Sequence, residues 1–392
     1  MFRARSGSLE GRSERSLSDR ASRLRAAVER RQALIVPGCH DALSARIIES
    51  AGLEADYHHG DIGWQFWVTE GDALPQRTLD LLARTECAFF GAITSKPAAE
   101  AARELAPELQ GRGLTYRSPI VRMRQLLDLY ICQRPCRAIA GNPLNYREGI
   151  DIVVFRENTE GMYIGVEFPQ MPEAFYAEKA MSRIPRDAAI SIRSITARAS
   201  RRIVQAAFEF ARRNGRRKVT AVHKANVLRA TCGLFLEQAT EVAALYPDVE
   251  FDTANVDAIC MWLLKNPLNY DVIVTTNLFG DILSDLCAQL VGGMGFAYSG
   301  NIGDRYAVFE PTHGSAPKYA GLNRVNPIAA ILAGAMMAGW LGEKAVEAAI
   351  HKAVEEVVRR GEVRTYDMGG SSTTTGMAEA IAREAARFRA AL

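Results

Sequence analysis

Tyr270-Asp-Val-Ile-Val-Thr-Thr276 runs without a break into Asn277-Leu-Phe-Gly-Asp-Ile-Leu-Ser-Asp285. Val272-Ile-Val-Thr275 is apolar and β-branched, the pattern of a strand buried on both faces of a parallel sheet. Helix from Phe279 onward puts Asp281 and Asp285 at i and i+4, on one face and one turn apart. Like charges at that spacing repel unless a cation lies between them, and all-oxygen ligands favour Mg²⁺ or Mn²⁺. A bare pair of this kind is more often a solvated acidic edge. Here it opens a helix at the carboxyl end of a buried strand, with Gly292-Gly-Met-Gly295 close behind, and open α/β sheets gather their ligands at such strand ends.

Outward from this unit, strands alternate with helices. Apolar runs predict strands at Ala33–Val36, 54–58, Ala88–Ile93, Leu129–Cys132, Ile150–Phe155, Val219–Val222, Val249–Asp252 and Tyr306–Phe309. Arg134-Pro135 is expected to turn the chain after the fourth of these. Amphipathic stretches predict helices over 19–31, 41–52, 75–84, 119–127, 195–214, 231–246, 257–264, 327–342 and 344–360, with one more at the C-terminus. Residues 166–190 hold three prolines and suit an extended arm.

At 392 residues and 48% hydrophobic content, the chain can bury a large core, and 31 glycines and 15 prolines suit the turns of an α/β protein. A net charge of +3 leaves no footprint for nucleic-acid binding. Seven cysteines (Cys39, Cys87, Cys132, Cys136, Cys232, Cys260 and Cys287) are scattered, odd in number and without CxxC. That favours a reducing compartment over a disulfide framework, and Cys132 and Cys136 are read as buried small residues. No apolar run has the length of a membrane span and no secretory signal is evident, so a cytoplasmic chain is expected.

Polar groups punctuate the strand ends. Arg134, Arg156 and Lys224 each follow an apolar strand, and Arg124 lies ten residues before Arg134. Guanidinium forks beside a carboxylate-bound metal suit a small polyanion, because they bind carboxylates in a bidentate manner. Tyr163 and Lys224 can act as acid and base if neighbouring positive charge lowers their proton affinities. The turn after the first strand, Pro37-Gly-Cys-His-Asp41, lacks GxGxxG, so an ordinary dinucleotide loop is not expected there. Glu310-Pro-Thr-His-Gly-Ser-Ala-Pro-Lys-Tyr-Ala-Gly321 offers backbone donors at Gly314, Ser315 and Ala316, the His313 imidazole, and a cation and phenol at Lys318 and Tyr319. Such a set suits an adenosine bearing a 2′-phosphate, whereas NAD would favour a carboxylate.

Six motifs in order are Gly91-Ala-Ile-Thr94, Leu127-Asp-Leu-Tyr-Ile-Cys-Gln-Arg-Pro135, Phe155-Arg-Glu-Asn-Thr-Glu-Gly161, His223-Lys-Ala-Asn226, Asn277–Asp285 and 310–321. Together they resemble the isocitrate and isopropylmalate dehydrogenase family of metal-dependent β-decarboxylating dehydrogenases, from about Gly60 to the C-terminus. The resemblance implies an α/β fold with a discontinuous large cofactor domain (31–128 and 292–392) and a smaller dimerisation and substrate domain (129–291) with a clasp arm at about 162–192, while the Arg-, Ser- and Glu-rich composition of the N-terminus predicts a poorly ordered tail over 1–30. It implies a homodimer with shared active sites. Ser118, Arg124, Arg134 and Arg156 would bind substrate carboxylates, Tyr163 would protonate the enol, and Lys224 would be the acid/base group of the partner's site. Asp281 and Asp285, with Asp257 from the partner, would hold Mg²⁺ or Mn²⁺. The cofactor would meet Thr94, Asn226, Glu310, His313, Gly314, Ser315, Ala316, Lys318, Tyr319, Asn326 and Tyr366. Lys318, Tyr319 and Tyr366 resemble the NADP-using branch, although Gly370 stands where that branch often has an arginine.

Two features depart from the family pattern. Ser118-Pro-Ile120 replaces Ser-x-Asn, with Arg122 as an added cation, which leaves open the distal group of the substrate: isocitrate, homoisocitrate or a phosphonate analogue. The family's Gly-Asp-Gly-Ile-Gly-Pro-Glu beside the nicotinamide is absent. In its place, residues of about 20–57 resemble the first βα unit of the phosphoenolpyruvate mutase and isocitrate lyase family. An impaired or regulatory homologue is the alternative to an active enzyme.

Overall fold

The computed structural model describes residues 58–391. The expected tail, the first strand, the first two helices and the mutase-like unit lie outside those residues. The chain divides into two units, one from Met1–Leu114 with Val308–Leu392 and the other from Thr115–Ala307.

The first unit opens with α1 (Trp64–Glu70), α2 (Gln76–Leu82), β1 (Cys87–Phe89) and α3 (Ala98–Arg103). The chain then enters the second unit through α4 (Pro119–Leu126), β2 (Ile131–Arg137) and β3 (Asp151–Glu157). The expected arm forms a short antiparallel ribbon of β4 (Glu167–Phe168) and β5 (Ile190–Ser191), paired Glu167 to Ser191. Next come α5 (Ala197–Arg213), β6 (Lys218–His223), α6 (Thr231–Ala243), β7 (Glu250–Asn255), α7 (Val256–Lys265), β8 (Val272–Thr275), α8 (Asn277–Gln289) and β9 (Tyr298–Ile302). The chain returns through β10 (Ala307–Pro311), α9 (Ile328–Trp340), α10 (Lys344–Arg360) and α11 (Thr374–Ala390).

In the second unit the strands lie in the order β9-β2-β3-β8-β6-β7. β3, β8, β6 and β7 run parallel to one another, while β2 is antiparallel to both β3 and β9. Alternate residues of β8 serve opposite faces. Val272 and Val274 join Ile203, Phe208, Val219 and Phe235 in one core, and Ile273 joins Val222, Ile259, Leu263, Leu283 and Cys287 in the other. Both faces are therefore covered, by α5 and α6 on one side and α7 and α8 on the other, as the apolar run predicted. α5 starts where Thr196 accepts from the Ala199 amide (3.2 Å), and it stops before Gly215, whose φ of 62° a side chain would disfavour. In the first unit, β1 and β10 are linked by the Phe90 amide donating to Phe309 (2.7 Å), and α9 is buried from Ile328 to Gly339.

Two expectations change. The unit boundaries fall at 114/115 and 307/308, not at 128/129 and 291/292, because β9 pairs with β2 and Arg124 of α4 donates to Asn301 of β9 (2.9 Å). Arg134-Pro135 is not a turn but the middle of β2, where Cys132, Arg134 and Cys136 alternate inward. The β9 pairing stops at Gln133, so the amide that Pro135 lacks would have had no partner there. Cys132 and Cys136 are buried, and the cysteines among the described residues are free thiols. No helix of the described residues is long and apolar enough to cross a membrane.

Candidate active site

Register places the central cluster. Arg156 at the end of β3 pairs with Thr275 at the end of β8, just before α8 begins, and Arg134 of β2 lies opposite Val154. α8 approaches β3 so closely that a Cβ at Gly280 would stand 2.6 Å from both Cβ and Cγ of Arg156, so glycine is what lets helix and strand meet. Arg156, 1% exposed, donates from Nε to Asn277 Oδ1 (2.9 Å) and from Nη1 to Asp281, and its guanidinium lies 4.9 Å from the Tyr163 ring centre. Arg134 Nη1 donates to Ser284 Oγ (2.6 Å) and stands 3.4 Å from Asp281 and 3.3 Å from Asp285. The cation between the two carboxylates is thus a guanidinium of the same chain. The Tyr163 hydroxyl donates to the other oxygen of Asp281.

These contacts set the proton affinities. Burial pushes the Asp281 carboxyl up, but Arg156 and Arg134 outweigh it and hold the group below the usual carboxylate range. Burial raises Asp285, with the Asp281 charge adding to it against the pull of Arg134. Arg156 is lowered by burial and then by the charges of Arg134 and Arg124. Tyr163 is raised, first by burial and then by its hydrogen bond to Asp281. This reverses the sequence-based expectation of a lowered phenol: the chain's own groups keep Tyr163 protonated at neutral pH.

The remaining candidates of the second unit lie in two places. Ser118 precedes α4 at a half-buried position, and Arg124 on that helix is tied through Asn301 to Asn158, whose amide donates to Asn301 (2.9 Å) and to the Leu129 carbonyl (3.1 Å). Lys224, after β6, pairs with Asp257 in the first turn of α7, and this holds the Asp257 carboxyl low. Asn226 is exposed nearby in sequence. Among the described residues no cluster of three or more His, Cys, Asp or Glu side chains forms, so Asp257 does not complete a cage with Asp281 and Asp285 within one chain. A divalent cation fits the oxygen-only pair nonetheless: Asp285 is 57% exposed and raised partly by its like-charged neighbour, a repulsion that such an ion relieves.

In the first unit the Thr94 and Ser315 hydroxyls are hydrogen-bonded, and His313 Nδ1 lies 3.0 Å from the Gly314 carbonyl, its imidazole pulled down by burial. Glu310 is buried at the end of β10, and Gly314 is exposed. Ala316 is held in the left-handed region (φ 43°). Lys318 stands 5.1 Å from the Tyr319 ring, which stacks on Tyr366 with centroids 5.4 Å apart. Asn326 donates to Asp367 (3.0 Å) and accepts from the Ile328 amide (3.0 Å). Sequence reasoning missed Ser284, Asn158 and Asn301, which hold the arginines. For Ser284 a signal existed, since it is one residue from Asp285 on the same helix; the others depend on long-range pairing.

Comparison with known proteins follows the same lines. The family model described as isocitrate/isopropylmalate dehydrogenase matches residues 40–381, beginning earlier than the motifs alone suggest. The 3-isopropylmalate dehydrogenase of Archaeoglobus fulgidus is 39% identical over 356 residues, 89% of this chain and 98% of that protein. The isocitrate/homoisocitrate dehydrogenase of Thermus thermophilus is 41% identical over 346 residues, covering 87% and 94%. Protein DlpA of Legionella pneumophila is 40% identical over 352 residues, 88% of this chain, but the match spans only 56% of DlpA's length. The crystal structure of isocitrate dehydrogenase from Methylococcus capsulatus superposes with a TM-score of 0.79 at 38% identity, covering 90% of this chain and 98% of that one. The chain therefore belongs to the isocitrate/isopropylmalate dehydrogenase family, the metal-dependent, NAD-linked decarboxylating dehydrogenases.

Proposed function

We propose that the chain oxidises and decarboxylates an isocitrate-like 2-hydroxy acid (isocitrate, homoisocitrate or a phosphonate analogue) with NADP as the favoured nicotinamide cofactor. The observation that carries this reading is the packing of Arg134, Arg156 and Tyr163 around Asp281. Arg124, Arg134, Arg156 and Ser118 would take the substrate carboxylates, exchanging present partners for new charge-assisted bonds. Mg²⁺ or Mn²⁺ held by Asp281 and Asp285 would supply Lewis acidity at the C2 oxygen, and the nicotinamide would accept the C2 hydride. Lys224 would take the hydroxyl proton at C2. As the β-carboxylate leaves as CO₂, Tyr163, which burial and Asp281 keep protonated, would donate its phenolic proton to the resulting enol carbon. Arg122, two residues before Arg124 on α4, adds positive charge for a distal anionic group.

Reduction of NAD(P) with Mg²⁺ or Mn²⁺ on isocitrate, homoisocitrate, isopropylmalate and phosphonomethylmalate tests this. Turnover with a substrate bearing a third anionic group is expected to exceed that with isopropylmalate. Silence on all four would sink the reading in favour of an impaired or regulatory homologue.

A homodimer is part of the same proposal. Met261, Trp262 and Leu264 on α7, Ile282 on α8, and Val227 and Leu228 beyond Lys224 are large apolar side chains left exposed. A second copy covering them would explain why Lys224 and Asp257 pair with each other in the single chain: both would serve the other copy's site. Met261→Asp should convert the dimer to monomer in sedimentation velocity and abolish turnover together with it. A monomeric variant with full activity would exclude shared sites. A cytoplasmic location is supported by the free thiols.

A further inference from the structure

We propose that Gln125 is a positioning residue for proton transfer: it fixes Tyr163 from the backbone side and ties it to the helix that carries the substrate-binding Arg124. The inference rests on the proton-donor reading of Tyr163 above. Gln125 Nε2 donates to the Tyr163 carbonyl (3.2 Å), and Gln125 Oε1 accepts from Arg117 Nη2 (3.1 Å). A carbonyl only accepts and a guanidinium only donates, so each partner has one hydrogen-bonding sense. A single orientation of the amide satisfies both, with its nitrogen toward Tyr163.

Tyr163 needs such a tie. It lies in one short turn, Met162–Ile164, between Gly161 (φ 81°) and Gly165 (φ 71°). The backbone bonds of this turn sit at its ends, where the Gly161 amide donates to Ser194 (2.9 Å) and the Gly165 amide to Met162 (3.3 Å). Among the described residues, Gln125 is the donor that meets the carbonyl of Tyr163 itself. The Tyr163 side chain is held by the site, through its hydroxyl on Asp281 and the Arg156 guanidinium 4.9 Å from the ring centre. In the proposed reaction both Asp281 and Arg156 take up ligand contacts. The bond from Gln125 is outside that exchange, so it keeps Tyr163 in place while the side-chain partners are engaged.

The other end of the tie is α4. Ser118 precedes this helix, Arg122 and Arg124 lie on it, and Arg124 is buried and bonded to Asn301 of β9 (2.9 Å). Gln125 therefore shares one rigid element with the groups that would grip the hydroxy acid, and its amide passes their placement to the proton donor. Proton transfer needs donor and acceptor within hydrogen-bond reach, so a small displacement slows it without loosening the substrate. A residue acting in this way affects kcat and leaves KM.

Steady-state turnover of the full chain in H₂O and D₂O, on the best substrate of the four hydroxy acids, tests this. Gln125→Met removes both hydrogen bonds at similar shape and should lower kcat about tenfold with KM within about twofold. The solvent isotope effect on kcat should rise, because protonation of the enol carbon becomes slower relative to the other steps. Gln125→Glu keeps the Arg117 contact but loses the donor, and should be as slow as Gln125→Met. Gln125→Lys keeps a donor and should recover most of the rate. Melting temperatures should barely move, since Gln125 is only half-buried. Tyr163→Phe, the reference, should be slower than any Gln125 variant. If wild type is silent on all four acids, or Tyr163→Phe keeps the wild-type kcat, the reading of Tyr163 fails and the Gln125 role with it. If Tyr163→Phe is slow while Gln125→Met keeps the wild-type kcat and isotope effect, the positioning role alone is overturned. A slow Gln125→Met with a lowered melting temperature and an unchanged isotope effect would make Gln125 a packing residue and overturn the role as well.

Discussion

Asp281→Asn is expected to lower kcat/KM by about a thousandfold or more, because one neutralised carboxylate affects three parts of the proposed site at once. The substitution removes a metal-binding charge, leaves Arg134 and Arg156 without their shared counter-ion, and leaves a single acceptor oxygen where the arginines and the Tyr163 hydroxyl use two. Raising the Mn²⁺ concentration should recover only part of the loss, since the arginines stay mispaired. Stability should fall by about 2 kcal/mol, less than for a fully buried pair because 34% of the Asp281 side chain remains exposed. Urea denaturation across pH separates this from a general packing defect. The folded-state proton affinity of Asp281 is depressed, so its contribution is present above the unfolded value of about 3.9 and is lost as pH falls through the folded one. The gap between wild type and variant should stay constant from about pH 5 to 7 and narrow below pH 4. A gap of the same size down to acid unfolding would refute the charge argument.

Arg156→Lys, which conserves charge, should raise KM for the hydroxy acid by about a hundredfold and cost roughly 2–4 kcal/mol of stability. Arg156 reaches Asn277 with Nε and Asp281 with Nη1 while stacking on Tyr163. A lysine ammonium is a point donor on a flexible stem and cannot satisfy the amide and the carboxylate while lying flat on the ring. The check is a pair of measurements, denaturation midpoint and steady-state KM. A stability loss with KM within a few-fold of wild type would leave Arg156 as a structural residue and remove it from substrate binding.

Much of the scaffold could be read from local pattern. The β8–α8 unit, the span of α5 from its threonine cap to Gly215, and α9 and α10 all rest on short-range periodicity and capping, so sequence spacing reports them directly. β2 was misread because a proline inside an apolar run looks like a turn, and only the end of the β9 pairing at Gln133 makes it acceptable in a strand. Asn301 carried no local signal: it is one polar residue in a short strand until sheet pairing brings it to Arg124 from 177 positions away.

By itself, the sequence determined that Asp281 and Asp285 share a helix face at the carboxyl end of a buried strand and to which family the motifs point, and only through that resemblance were the arginines and Tyr163 expected beside them. Tertiary structure alone decided which charge meets which. Arg134 stands between the two carboxylates across 147 and 151 residues of chain, and the Tyr163 hydroxyl reaches Asp281 across 118. The physical reason is that i to i+4 spacing fixes neighbours within a helix, whereas contacts between strands and helices follow from sheet register and close approach, here at Arg156 opposite Thr275 and at Gly280 against Arg156.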